Sequence, residues 1–165
     1  MTKRPRVLVV CYSRSGLTRR VADAIAARLG CDVEELVDAV DRRGLFGYFR
    51  AGFDAFFGRA TSLVPIRHDP REYDVIIVGT PVWDRSLPPA PRTYLLEHQS
   101  DFRQVAFFCT EERFGAGRVF RQMTAACGRA PLAVLAIHRD EFARSGVMAE
   151  IREFASDVVR MQEAA

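Results

Sequence analysis

The stretch Tyr12-Ser13-Arg14-Ser15-Gly16-Leu17-Thr18 is a hydroxyl-rich turn between an apolar run, Val7 to Cys11, and an amphipathic helical pattern. A buried strand that passes through such a turn into a helix presents free backbone N–H groups and the positive end of the helix dipole at one point. An anion is attracted there, and phosphate is the expected ligand. The hydroxyls of Ser13, Ser15 and Thr18 can each donate to a phosphate oxygen, while Gly16 permits close approach and a positive φ.

The turn lacks the features of two other phosphate-binding loops. It has no lysine, so it does not fit the Walker pattern, and it has no G-x-G-x-x-G of a dinucleotide fold. The remaining interpretation is a site that binds a monophosphate through hydroxyls and backbone amides. The alternative is an ordinary strand-to-helix turn with Thr18 as the helix N-cap, and the turn alone leaves both interpretations open.

Length and composition predict a single domain over residues 1–165, with an aromatic-rich insertion at about 38–65. The chain has 165 residues, of which 48% are hydrophobic, and this suffices for a sizeable core. Its apolar stretches are far shorter than the roughly 20 residues of a membrane-spanning helix, and the N-terminal pattern does not fit a signal peptide. We therefore expect no membrane span and a cytoplasmic location.

Cysteine spacing argues against a metal site, and the distribution of charge argues against nucleic-acid binding. Cys11, Cys31, Cys109 and Cys127 stand far apart, without a C-x-x-C pair or histidine at ligand spacing, which predicts reduced, mostly buried thiols and no metal site. The net charge is +3, and all but one of the 24 basic residues are arginine. Because no long basic run or helix-turn-helix pattern occurs, we expect no nucleic-acid binding.

Buried strands and amphipathic helices are predicted to alternate along the chain. Short apolar runs predict strands at 6–11, 73–79, 104–109 and 132–137, and a mixed apolar and acidic run predicts an edge strand at 31–37. Helices are predicted at 18–29, from about 88 to 99, at 116–127, and around the apolar spacing of Val147, Ile151, Phe154 and Val158.

This alternation predicts an α/β fold with a parallel sheet that is covered by helices on both faces. Ligands of such sheets bind beyond the carboxyl ends of the strands, where the strand order reverses. The loops at 12–18, 80–87 and 110–115 leave those ends and form the candidate site.

The insertion carries a helical pattern with Leu45, Phe49, Phe53 and Phe56 on one stripe. The simpler interpretation is a helix packed on its own sheet. The alternatives are a flap beside the phosphate turn or a contact of a homodimer. The sparse cationic face disfavours a membrane-surface helix.

Two motifs, in this order and at this distance, resemble those of flavodoxin-like proteins that bind flavin mononucleotide (FMN). Ser13 to Thr18 is similar to the family's phosphate loop of the form Ser/Thr-x-Ser/Thr-Gly-x-Thr. Val78-Gly79-Thr80-Pro81-Val82-Trp83 resembles the Gly-Thr-Pro-x-Trp stretch where bacterial members hold the flavin ring. The resemblance implies a three-layer, flavodoxin-like sandwich with a five-stranded parallel sheet of order 2-1-3-4-5.

The resemblance also implies the residues that bind FMN. The phosphate would be held by the hydroxyls of Ser13, Ser15 and Thr18 and by the amides of Arg14, Gly16 and Leu17. Thr80, Pro81, Val82 and Trp83 would lie along the isoalloxazine, and the Cys109-Thr110-Glu111 loop would close its far edge.

The chain departs from the family pattern at two points. Related sequences often carry glycine two residues after the tryptophan, where this chain has Asp84-Arg85-Ser86, so Arg85 would either hinder the flavin or lie over its edge. In the second case its charge would favour the anionic reduced flavin and raise the flavin's potential. The chain is also net basic, whereas dedicated flavodoxin carriers are acidic around the flavin, so steering toward a basic redox partner would be lost.

Three functions remain open. The first is an FMN-dependent oxidoreductase that takes a hydride from NAD(P)H and passes electrons to a quinone or similar acceptor. Since the flavin carries that chemistry, no catalytic side chain is predicted, and His68, His98 and His138 are interpreted as structural or exposed. The second is a one-electron carrier that docks to a redox partner protein, and the third is a flavin-free interaction module on the same fold.

Overall fold

A computed structural model describes residues 4–39, 61–142 and 146–164, and these residues contain five strands and four α-helices. A short 3-10 helix, Pro70–Glu72, precedes the third strand. The order of the elements is β1 (Val7–Cys11), α1 (Leu17–Leu29), β2 (Asp32–Glu35), β3 (Val75–Pro81), α2 (Pro89–Glu97), β4 (Gln104–Glu111), α3 (Ala116–Cys127), β5 (Val134–His138) and α4 (Val147–Ala164).

The strands form one parallel sheet of order β2-β1-β3-β4-β5, which confirms the predicted order and the edge position of the second strand. The order reverses between β1 and β3, which are paired neighbours with Val9 opposite Ile77. The carboxyl ends of these two strands therefore flank the crevice in which ligands of such sheets bind.

The core lies on both faces of the sheet. Every residue of β1 is buried, and successive side chains point to opposite faces. Leu8 and Val10 belong to the apolar cluster that includes residues of α2 and α3, while Val7 and Val9 belong to the cluster that includes residues of α1 and α4. This pattern gives the predicted three layers.

Gly79 is required by the packing of the sheet. A Cβ atom at this position would lie 1.9 Å from Cζ of Phe108, the residue paired with Gly79 on β4. The space above the glycine is filled by an aromatic ring. The glycine of the Gly-Thr-Pro stretch is therefore required by the packing of the core, independently of any contact with a ligand.

The observed bounds differ from the predicted ones at the carboxyl ends of two strands. β3 continues through Thr80 and Pro81, and β4 continues through Thr110 and Glu111. Val82 N–H also donates to the carbonyl of Thr110 at 2.9 Å, so pairing continues past the apolar runs from which the strands were predicted. α1 begins one residue before its predicted start, α2 ends two residues before its predicted end, and α3 has its predicted bounds.

The base of the insertion is an antiparallel contact beyond the end of β2. Asp38 pairs with Leu63, and Ala39 N–H donates to the carbonyl of Ser62 at 2.9 Å. The predicted helix with its stripe of Leu45, Phe49, Phe53 and Phe56 lies outside the described residues, and its role stays a prediction.

Among the helices of the described residues, none is both long and apolar enough to cross a membrane. All four cysteines are free thiols; Cys11, Cys109 and Cys127 are buried and Cys31 is half-buried, as predicted.

Candidate functional site

A cavity of about 660 Å³ opens at the carboxyl edge of the sheet, where the three predicted loops meet. This volume is in the range of small-molecule sites. The loop after β5 contributes one further residue, Arg139. The lining consists of Arg14, Ser15, Leu17, Pro81, Val82, Trp83, Asp84, Arg85, Thr110, Glu111, Glu112, Arg113, Phe114 and Arg139.

The first loop ends in the amino terminus of α1. Gly16 is the N-cap and has φ of 90°, the positive value that the sequence predicts. The alternative with Thr18 as N-cap is wrong, because Thr18 lies inside the helix and the cap makes no side-chain hydrogen bond. The first intrahelical bond runs from Arg20 N–H to the carbonyl of Gly16 at 3.0 Å, so the preceding amides have no acceptor within the helix.

Ser13 supplies a hydroxyl to the same loop. Its Oγ is buried and has no hydrogen-bond partner among the residues described. Such groups are rare in folded proteins, because an unpaired buried hydroxyl costs free energy. The first turn of α1, Leu17 to Arg20, also carries no acidic residue that would offset the helix dipole. Loop and helix together are suited to an anionic oxygen.

Thr18 is placed differently from the other hydroxyls of the loop. Its side chain is buried, and its hydroxyl lies 2.8 Å from that of Thr110 on β4. Thr18 is absent from the lining of the cavity, as are Ser13 and Gly16 of the same turn. It supports the loop from within the fold.

Trp83 forms an aromatic wall of the cavity. Tyr12 meets it edge-on with ring centroids 5.5 Å apart, and the guanidinium of Arg14 lies over the indole at 5.8 Å from its centroid. The Tyr12 hydroxyl donates to Asp38 at 2.8 Å. The phosphate turn, the tryptophan loop and the base of the insertion are therefore in contact through one chain of side chains.

Asp84 and Arg85 form a tight two-residue turn. Trp83 and Ser86 exchange backbone hydrogen bonds of 3.1 and 2.8 Å across it. Asp84 has φ of 43° and Arg85 of 60°, two consecutive positive values as in a type I′ hairpin turn. Position 85 thus has a backbone conformation that suits glycine, the residue that related sequences often carry there.

Arg85 lines the cavity and packs on an aromatic ring of the β4 loop. Its guanidinium lies over the ring of Phe114, 4.9 Å from the centroid, and the Phe114 side chain is 60% exposed. Gly115 lets these loops approach each other, because a Cβ there would lie 2.8 Å from Val82 and 3.0 Å from Cα of Arg85.

The carboxylates of the β4 loop are engaged in the fold. Glu111 accepts a hydrogen bond of 3.0 Å from the N–H of Ala116 and so caps α3, and Glu112 forms an ion pair with Arg139. The described lining contains four arginines and three acidic residues, so the formal charge of this part of the cavity is +1.

Besides Thr18 and Thr110, two further predicted site residues are buried. Thr80 is fully buried and its hydroxyl donates to the carbonyl of Pro81 at 2.9 Å. Cys109 is fully buried within β4, where burial, and to a lesser extent the charge of Glu111, raises the pKa of its thiol. These two residues can shape the site through the backbone only.

Sequence reasoning did not predict five of the lining residues as site residues, although it included the loops at 80–87 and 110–115: Asp84, Glu112, Arg113, Phe114 and Arg139. The position of Arg139 directly after β5, at the same edge of the sheet, was a usable signal. No cluster of three or more metal-ligating side chains is present in the described part of the chain.

Several flavoproteins of known structure have the same architecture. A flavoprotein from Lactobacillus acidophilus NCFM, crystallised in complex with FMN, is 19% identical, with a TM-score of 0.71 over 85% of this chain and 97% of its own. Oxidised flavodoxin 2 from Bacillus cereus is 19% identical, with a TM-score of 0.58 over 94% and 98%. This chain has the flavodoxin-like fold.

A further structure with the flavodoxin-like fold is that of a flavodoxin, WrbA-like protein from Agrobacterium tumefaciens. It is 13% identical, with a TM-score of 0.62 over 97% of this chain and 98% of its own. No model of a protein family matches the chain, and no curated protein sequence matches it significantly.

Proposed function

We propose that this protein binds FMN in the cavity and is an oxidoreductase that passes electrons from NAD(P)H through the flavin to a quinone or similar acceptor. The observation that carries the proposal is the buried hydroxyl of Ser13, which lacks a partner among the described residues and lies beside the uncapped amino terminus of α1. A phosphate oxygen would satisfy both features. When bound, FMN supplies hydride and one-electron transfer.

The phosphate end of the site fits a dianion without a lysine or a metal ion. Ser13 and Ser15 have hydroxyl donors, and the amides of Gly16 and Leu17 lie at the positive end of the α1 dipole. Arg14 adds a full positive charge and lines the cavity. We assign phosphate binding to these residues, with Thr18 as an internal support.

The ring end of the site fits a flat, largely apolar group. Pro81, Val82 and Trp83 present apolar surface to the cavity. Stacking on an aromatic ring is worth about 0.5 to 1.5 kcal/mol beyond the burial itself. The backbone of Thr110 and Glu111 closes the opposite side, and Glu111 is fixed there by its bond to α3. These residues would orient the ring and exclude water from part of it.

The charges of the cavity favour the oxidoreductase over the carrier. Arg85 and Arg113 line the cavity, while two of its three carboxylates are held by Ala116 N–H and by Arg139. A phosphate-bearing nicotinamide donor is compatible with such a lining, whereas a basic redox protein is not. The cytoplasm would supply this donor and keep the four thiols reduced.

The carrier remains the second candidate, because the bacterial structures of the same fold include flavodoxins. The two candidates differ in turnover. Steady oxidation of NAD(P)H with a quinone by the purified protein supports the oxidoreductase. Accumulation of one-electron-reduced flavin without turnover supports the carrier.

FMN binding is tested first, by titrating the apoprotein and following flavin fluorescence and absorbance. The wild-type protein is expected to bind FMN, and Ser13→Ala to bind it about ten-fold more weakly, since a hydrogen bond to a charged group is lost. The free energy of unfolding of the apo variant should not fall, because the hydroxyl has no partner in the described structure to lose.

Ser156→Ala is the matched control, because Ser156 lies on the exposed side of α4 and its hydroxyl only donates to the carbonyl of Arg152. It should leave FMN affinity unchanged. A wild-type protein that stays colourless and ignores added FMN would overturn the proposal and leave the flavin-free module.

A further inference from the structure

Arg85 occupies a backbone position that suits glycine better than arginine. It has φ of 60° in the two-residue turn, where an L residue is strained. Glycine would form the same turn without this cost. Strained residues of this kind cluster at functional sites. The strain at Arg85 therefore points to a function of its side chain.

The Arg85 side chain lies against an exposed aromatic ring of the β4 loop. Its guanidinium is 4.9 Å from the ring centroid of Phe114, which is 60% exposed. Both residues line the cavity. Gly115 lets the two loops approach, since a Cβ there would lie 3.0 Å from Cα of Arg85. A positive charge and an apolar ring are thereby held side by side in the lining of the cavity.

No carboxylate neutralises the guanidinium of Arg85 directly. Within the described part of the chain, Arg85 forms no ion pair, unlike Arg139, which is paired with Glu112. Its contact with Phe114 is made through the π-system of the ring and uses none of its N–H groups on an acceptor atom. These N–H groups can bind the oxygens of a carboxylate, sulfonate or phosphate.

The net charge of this part of the cavity does not by itself attract an anion. Its three arginines are matched by three carboxylates: Arg85, Arg113 and Arg139, against Asp84, Glu111 and Glu112. Selection of an anionic ligand here must therefore come from direct contact with a guanidinium. Arg85 is suited to this contact because its position on Phe114 holds the charge beside a surface for an apolar ring.

We propose that the electron acceptor of this protein is an aromatic molecule with an acidic group bonded directly to its ring, and that Arg85 binds this acidic group beside Phe114. The inference rests on the proposed function and names the substrate class of its site. The 4.9 Å between charge and ring favours such a ligand over a nicotinamide donor, whose phosphates are separated from its rings by ribose.

Arg85 acts on specificity and takes no part in the transfer of electrons or protons. The overall reaction is that of the proposed function, in which NAD(P)H, a proton and the quinone give NAD(P)+ and the hydroquinone. The guanidinium holds the acidic group of the quinone, so its contribution is expected in KM.

The first experiment measures binding without turnover. Naphthalene sulfonate has the ring and the acidic group but no quinone, and naphthalene methanol has the same ring without the charge. Calorimetric titration of the FMN-loaded wild type is expected to show binding of the sulfonate. Arg85→Asn should bind it about five-fold more weakly, since asparagine tolerates positive φ but lacks the charge. Both proteins should bind the neutral compound equally.

The second experiment compares turnover of naphthoquinone sulfonate with turnover of neutral naphthoquinone. Arg85→Asn is expected to lower the ratio of the two kcat/KM values, charged over neutral, about five-fold, through KM of the sulfonate. Added salt should reduce the difference between wild type and variant. If Arg85 acted only through the potential of the flavin, the variant would change turnover of both quinones together.

Asp84→Asn is the matched variant, because it makes the opposite change of charge at the neighbouring position of the same turn. It should bind the sulfonate about two-fold more tightly, since the anion no longer meets a carboxylate beside Arg85. Arg152→Gln removes the charge of an exposed arginine on α4 and should behave as wild type in both experiments.

The proposal is overturned if Arg85→Asn binds the sulfonate as tightly as wild type, or if the ratio of the two kcat/KM values does not change. A rise in KM for NAD(P)H with an unchanged quinone ratio would assign Arg85 to the donor and would also overturn it. Failure of the wild type to bind FMN would instead overturn the proposed function. Titration of the unloaded protein with naphthalene sulfonate would then still decide whether Arg85 binds the acidic group.

Discussion

The hydroxyl of Thr18 lies 2.8 Å from the hydroxyl of Thr110, and the two side chains are only 2% and 5% exposed. This hydrogen bond joins the first turn of α1 to the end of β4. The turn that would hold a phosphate and the strand end that lines the cavity are thereby held in one fixed arrangement from inside the protein.

We predict that Thr18→Val destabilises the protein by about 1 to 3 kcal/mol, because it leaves the buried Thr110 hydroxyl without its partner. Thr110→Val should have a similar cost. The double variant should lose clearly less than the two single losses together, since no hydroxyl then remains unpaired. Urea unfolding of the apoproteins measures all three free energies, and strictly additive losses would show that the pair is not coupled.

Much of the fold could be predicted from the sequence because its signals are local. α3 was predicted with its observed bounds because glycines stand on both sides of it, and Gly128 adopts the left-handed conformation that ends a helix. Strand order could not be obtained from periodicity. It came from the resemblance, because the apolar runs of β1, β3 and β4 do not indicate which strands are neighbours.

The site was predictable as a set of loops and less so as a set of side chains. Thr80 and Cys109 were expected beside the flavin, but β3 and β4 continue past them, and a residue within a paired strand is buried by the layers on either side. The turn at Asp84 and Arg85 had no local signal either, since consecutive positive φ values are expected for Asn-Gly and not for Asp-Arg.

We predict that Arg85→Gly is more stable than Arg85→Ala by about 1 kcal/mol. Both variants lose the contact of the guanidinium with Phe114, but alanine keeps a Cβ at φ of 60°, where an L residue is strained. Chemical unfolding of the two variants gives the difference. At Arg152 in α4 the order should reverse, with alanine more stable than glycine by about 1 kcal/mol, because that position is helical. If the alanine variant were the more stable one at both positions, or the glycine variant at both, the result would argue against backbone strain at position 85.

We predict that Arg85→Ala lowers the midpoint potential of bound FMN. Arg85 lines the cavity, and a positive charge there favours the anionic reduced flavin. An interaction of about 1 kcal/mol corresponds to about 20 mV for a two-electron couple. Redox titration of wild type and variant measures the shift. An unchanged or higher midpoint in the variant would rule out this role, and Arg152→Ala should leave the midpoint where it is in the wild type.

Alkaline pH should lower the free energy of unfolding at pH values below those at which any arginine loses its proton. Burial raises the pKa of the Cys31 thiol to about 11 and, helped by the charge of Glu35, that of Cys11 to about 12. Burial and the hydrogen bond to Asp32 raise the pKa of Tyr73 to about 12. In the unfolded chain the thiols and the phenol ionise near their ordinary pKa values of 9 and 10.

The folded protein therefore holds these protons to higher pH than the unfolded chain does. Stability from this source is complete below about pH 9 and is lost as the pH rises toward 11 and 12, since the unfolded chain alone releases protons in that window. We expect the urea midpoint to fall between pH 8 and pH 10.5. Cys31→Ala should reduce the fall, because the most exposed of the four thiols no longer contributes to it. A midpoint that does not change over this range, or a fall that is as steep in the variant, would show that these thiols are not held in their neutral form by the fold.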